Sequence, residues 1–141
     1  MPRKSVATYH DARLVLDLYE LRREERLRAA RDWFVQRFSP KTLDDVRGLP
    51  AGSPENASYR MVTTYWDMAA SLIVHGVLDS DLFLESGGEM LVVWTKLEPL
   101  VPAIRKELNA RLLLNVEKVV QASPHAQERV AGMRARFGPR P

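Results

Sequence analysis

Apolar residues recur along this chain at spacings of three and four, the rhythm of helices that bury one face. No segment alternates apolar and polar residues with β-branched enrichment, so no sheet is expected. The first helix is predicted from about Tyr9 to Phe38, with Thr8 and Asp11 forming a capping-box-like start. Its apolar stripe changes phase. Leu14, Leu18 and Leu21 share one face; Leu27, Ala30, Phe34 and Phe38 share another, about half a turn away at roughly 100° per residue. The shift falls in the charged segment RREER, residues 22–26. A straight helix with two stripes touches two surfaces. The stripe with aromatics is expected to attach to the core, and the leucine stripe to lie against a partner subunit.

Ser39-Pro40, Ser53-Pro54 and Ser123-Pro124 each read as a helix start. Serine accepts from the first free backbone N–H groups, and proline at the first helical position gives up an N–H that had no partner there. Gly48, Gly76, Gly87 and Gly138 sit where helices should stop. A short helix is predicted from Pro40 to Arg47, then a central one from Pro54 to His75. There Val62, Tyr65, Trp66, Ala69, Leu72 and Ile73 repeat at helical spacing. Asp79 can cap a short helix from Ser80 to Ser86, and another begins near Glu89. Pro99 and Pro102 interrupt it. Helical pattern resumes at Ala103–Leu108 and Arg111–Gln121, and a last, peripheral amphipathic helix runs from Pro124 to Phe137. The fold class expected is all-α: a single compact bundle of about six or seven helices around Pro54–His75. It forms one domain over residues 1–141, with the first eight and last four residues flexible.

Composition changes this picture little. Hydrophobic residues make up 45% and charged residues 28%, an ordinary globular balance. The absence of cysteine removes disulfides, thiolate nucleophiles and cysteine zinc sites, and fits a reducing cytoplasm. No apolar stretch follows Arg3 and Lys4, so no signal peptide is expected. The longest uncharged apolar run, Met68 to Leu78, is about 11 residues, short of the roughly 20 that span a bilayer. Cytoplasmic localisation and no membrane contact are therefore expected. Net charge is +3. Its distribution, basic at both ends and acidic in the middle, is not the single-signed field of a strong nucleic-acid binder.

The candidate chemistry is thin. Asp67, Ser71 and His75 are the three types used in hydrolase triads, but serine, not histidine, stands in the middle, and the ends are about 12 Å apart along the helix axis. They read as a polar stripe, and no catalytic residue is assigned. Asp79, Asp81, Glu85 and Glu89 form an acidic run that begins like a calcium loop. Phe83 and Leu84 then stand where a ligand and a glycine are needed, so neither a metal nor a cofactor is implied. His10, His75 and His125 are isolated in sequence. Tyr65, Trp66 and Trp94 are pocket candidates, with plain core packing as the more ordinary role for aromatics at helical spacing. The arginines of the first helix are interleaved with acids and read as a salt-bridged, solvated face. The tail RARFGPRP is more purely basic.

The segments LYELRREER at Leu18–Arg26, YWDMAASLIVHG at Tyr65–Gly76 and GGEMLVVWTKLEPLVP at Gly87–Pro102 resemble a family of small all-helical bacterial proteins of unknown function. The resemblance covers about Ala12 to Gln121. It implies a bacterial origin and a compact helical fold, and it carries no catalytic residue to any position here.

These observations favour an uncharacterised cytoplasmic protein-interaction or regulatory module, a homo-oligomer that self-associates through Leu14, Leu18 and Leu21 of its first helix. Nothing in the sequence calls for an enzyme, and any other protein partner is unidentified. One alternative is a small-ligand-binding bundle or enzyme with a pocket near Tyr65, Trp66 and Trp94. A second is weak nucleic-acid binding by the basic terminal segments.

Overall fold

Nine α-helices and one 3-10 turn, with no strand, account for the regular structure of residues 6–138, the part of the chain that the computed structural model describes. They are α1 (Tyr9–Leu21), α2 (Glu25–Gln36), α3 (Leu43–Arg47), α4 (Pro54–Val74), α5 (Ser80–Ser86) and α6 (Gly88–Leu97). After the turn Glu98–Leu100 come α7 (Val101–Glu107), α8 (Leu114–Ala122) and α9 (Pro124–Phe137). The all-helical architecture is as the pattern predicts, but it is divided more finely than six or seven helices.

The first predicted helix is two. The chain breaks at residues 22–24, where the apolar stripe changes phase. The Glu24 side chain accepts from the Leu27 N–H at 2.9 Å and caps α2. That bond, with one from the Arg26 backbone, holds its carboxyl below the usual glutamate range. A break lets two faces half a turn apart both reach the body of the protein.

Ser53 and Ser123 cap α4 and α9 as expected, each accepting a backbone N–H at 3.1 Å. Ser39-Pro40 does not start a helix. Asp45 draws in the N–H groups of Lys41 and Thr42, at 2.7 and 3.0 Å, so α3 begins after Thr42 instead. Helix α4 ends at Val74 with His75 as its C-cap. Gly76 then takes the left-handed conformation at φ 75°, and the N–H groups of Val77 and Leu78 both reach back to the Leu72 carbonyl.

Helix α8 starts later than the sequence predicts. Leu113, buried, stands at φ 51° and can supply no capping group. The carboxylate of Asp67 in α4 does so instead. It accepts from the Asn115 and Val116 N–H groups at 2.9 and 3.0 Å and from Asn115 Nδ2 at 3.0 Å. A negative charge at that helix end is favoured by the dipole as well.

One hydrophobic cluster runs through the helices. Helix α4 packs between α2 and α8, and α6 packs on α9 and α8. Helix α9 is thus less peripheral than its thin apolar pattern suggests: Ala126 and Val130 are buried. Trp66 is fully enclosed, edge-on to Tyr65 and Phe83 at 4.9 and 6.2 Å between ring centres. Lys96 is buried in the same layer. Its ammonium donates to the carbonyls of Phe34, Val35 and Phe38 at 2.7–2.9 Å and so closes the C-terminal end of α2. Burial pushes its pKa down.

Candidate functional site

The aromatic candidates separate. Tyr65 and Trp66 are packed in the core and line none of the clefts described below, whereas Trp94 does. The polar stripe of α4 also resolves into local roles. Asp67 caps α8, the Ser71 hydroxyl donates to the Met68 carbonyl of its own helix, and His75 is a helix cap. The acidic run does the same: Asp79 caps α5 and Glu89 pairs with Arg31 at 2.7 Å. Among the described residues no group of three or more His, Cys, Asp or Glu is placed to hold a metal ion.

The leucine stripe of α1 does not form one exposed face. Leu18 is 4% exposed and belongs to the core, Leu14 is half-buried against it, and Leu21 is 54% exposed. Leu18 is thus covered by its own chain. The outward side of α1 carries a second stripe that the leucines obscured. Tyr9 is 75% exposed, Leu16 58% and Tyr19 48%, with Ala12 exposed between them. Spacings of three, four and three place these four within about 80° of the helix circumference.

Helix α1 is anchored by polar contacts as well as by Leu14, Val15 and Leu18. Its principal neighbour is α5. Asp11, fully buried, accepts from the Asp79 N–H at 2.8 Å. The Tyr65 hydroxyl donates to the Leu18 carbonyl. Arg22 donates to the Ser86 carbonyl at 3.0 Å, and its guanidinium lies 4.6 Å from the Tyr19 ring and 5.4 Å from Trp66. Arg31 binds Glu89 through two nitrogens and the Arg22 carbonyl through a third. Burial pushes the Tyr65 phenol above its ordinary pKa, with Arg22 and Arg31 pulling the other way. This clamp fixes the α1–α2 corner and leaves the outer stripe pointing away from the body. No local pattern marks it, since a buried arginine such as Arg22 looks like a surface one in sequence.

Trp94 lines a cleft of about 520 Å³ bordered by α6, α7, α8 and α9. Two ion pairs flank it: Glu98 with Arg134 at 2.8 Å and Arg105 with Glu117 at 3.1 Å. Glu98 Oε2 and Arg105 Nη2 are buried without a hydrogen-bond partner. In the basic tail, Arg134 is spent on Glu98 and Arg136 lies over the Phe137 ring at 4.9 Å. The remaining basic groups of the termini, Arg3, Lys4 and Arg140, lie outside the described residues, as do most of the positions expected to be flexible. Among the described residues no helix is long and apolar enough to cross a membrane.

Comparison with curated proteins and with solved structures finds no significant match. A family model described as a domain of unknown function, DUF4760, matches residues 7–123. The matched span opens just before α1 and closes at Ser123, the cap of α9. It thus takes in the clamp and the outer stripe, while α9 packs on α6 and α8 from beyond it. With α1 through α8 inside that model, the chain belongs to the DUF4760 family.

Proposed function

We propose that this domain is a protein-interaction or regulatory module of the bacterial cytoplasm that self-associates through its first helix. The contact face is the outer stripe Tyr9, Ala12, Leu16 and Tyr19, not Leu14, Leu18 and Leu21. One observation carries the reading. Of the eight large hydrophobic side chains exposed among the described residues, three (Tyr9, Leu16 and Tyr19) lie on this one side of α1. Scattered exposed apolar residues are normal, but a contiguous stripe marks a contact surface. With about 150–250 Å² for a whole aromatic side chain, the stripe and its flanks offer on the order of 500 Å² per copy. A pair then buries about 1,000 Å², the lower edge for a specific complex, so a weak, micromolar dimer is expected.

The test is light scattering across a concentration series. Wild-type protein should rise toward twice the monomer mass, and Leu16→Glu, at an exposed site, should stay monomeric with its fold intact. A wild type that remains monomeric at roughly millimolar concentration refutes the reading.

The Trp94 cleft supports a second reading, a small-ligand site. Arg105 Nη2 needs an acceptor and Glu98 Oε2 a donor, beside the apolar Trp94, Val120 and Val130. A small molecule bearing both groups fits that chemistry. A thermal-shift screen of free amino acids and their amides, with Arg105→Met as control, tests it; no shift with any of them counts against it.

A further inference from the structure

We infer that two copies of α1 pair antiparallel, about a two-fold axis beside Leu16, with reciprocal Arg13–Glu20 contacts setting the register. This rests on the self-association proposed above and adds its geometry. At about 100° per residue, Arg13 and Glu20 lie within about 20° of each other on one edge of the outer stripe. They are opposite in charge and seven residues apart. The other edge carries half-buried Val15 and buried Arg22, which face the body. Within α1, the exposed charge beside the stripe therefore lies along one edge.

A two-fold axis perpendicular to paired antiparallel helices brings like edges together. Arg13 of each copy then meets Glu20 of the other. The two exposed pairs these residues make now, Arg13–Asp17 at 3.5 Å and Glu20–Arg23 at 3.8 Å, are more than half exposed and hold them loosely. In a parallel pair the charged edge meets the opposite edge and finds no countercharge. The apolar residues agree on the centre. The antiparallel register that pairs Arg13 with Glu20 sets Leu16 beside its own copy and Tyr19 over Ala12, a large side chain over a small one. These three pairings centre within a residue of position 16.

The chain has no cysteine, so single cysteines report on geometry without background. Under mild oxidation Leu16→Cys should cross-link with itself. Tyr9→Cys should not: the two positions lie about 21 Å apart along the axis in an antiparallel pair, beyond the roughly 7 Å a disulfide spans. Ala12→Cys mixed with Tyr19→Cys should give the heterodimer. Arg13→Glu or Glu20→Arg alone should weaken the dimer roughly threefold to tenfold, and the two together should restore it. This reversal also tests the register if Leu16→Cys itself weakens pairing. Efficient cross-linking of Tyr9→Cys, or charge reversals without effect, overturns the antiparallel register while leaving self-association standing. A monomeric wild type overturns both.

Discussion

The same atom can be removed from two tyrosines of α4 with opposite consequences. Tyr65 and Tyr59 both bury the hydroxyl. That of Tyr65 donates to the Leu18 carbonyl, whereas that of Tyr59 has no partner. Tyr65→Phe deletes a buried bond that ties α1 to α4. The Leu18 carbonyl keeps its bond from the Arg22 N–H at 3.3 Å, so the cost is about 1 kcal/mol rather than a full desolvation penalty. At this chain length that lowers Tm by roughly 3 °C. Tyr59→Phe deletes no native bond and relieves a desolvated hydroxyl, so it should be neutral or stabilise by about 1 kcal/mol. The two variants should therefore stand about 1–2 kcal/mol apart in urea unfolding at neutral pH. Alkaline solution adds a second signature. Burial pushes the Tyr59 pKa up to about 12 from the ordinary 10. Between those values the folded protein keeps a proton that the unfolded chain has lost, so stability declines as pH rises, by up to about 1.4 kcal/mol per unit. Tyr59→Phe should flatten that decline. If it instead loses as much stability as Tyr65→Phe, the hydroxyl is satisfied and the reasoning fails.

Asp67→Ala should cost about 2–3 kcal/mol, because it strips the cap from α8 and leaves two backbone N–H groups unpaired. Asp67→Asn keeps an acceptor and should recover at least half of that by the same unfolding measurement; equal losses would show that capping is not the role of Asp67. Lys96→Met removes three bonds from the end of α2 and should cost about 2 kcal/mol at neutral pH. Since burial lowers the Lys96 pKa, the unfolded chain binds the extra proton just below its ordinary 10.5, and wild-type stability gains from this group as pH rises there. Lys96→Met should lack that gain, and an unchanged alkaline slope would contradict it.

What the sequence reveals and what it hides follow the range of the interactions. Ser53 and Ser123 bond to N–H groups three residues on, so their caps are visible in a four-residue window. Ser39-Pro40 looks identical, yet a nearby competitor, Asp45, takes the N–H groups just ahead of α3. The break between α1 and α2 was legible as a phase shift but not as a break, because periodicity records direction and not continuity. The cap of α8 lies 48 residues away in the sequence, in Asp67, and no local pattern reports it. Arg22 and Lys96 mislead for the same reason. Charged residues on helices default to solvent, and only the assembled bundle shows carbonyls waiting for them.

The α1 leucines carry the sharper lesson. Apolar spacing of three and four says that a helix side avoids water, not what covers it. Leu14 and Leu18 have that spacing because the body of the protein covers them. Tyr9, Ala12, Leu16 and Tyr19 have it too, yet among the described residues they stay exposed. A helix that is apolar on two opposite sides, clamped at its corner by Arg22, Tyr65 and Asp11, has already satisfied its fold through one of them. On the proposed reading, the other side is the contact face and contributes little to the stability of the isolated domain. Leu16→Glu should accordingly leave the unfolding free energy of the monomer within about 0.5 kcal/mol of wild type while abolishing self-association. A large loss of monomer stability would mean that the outer side is part of the fold after all.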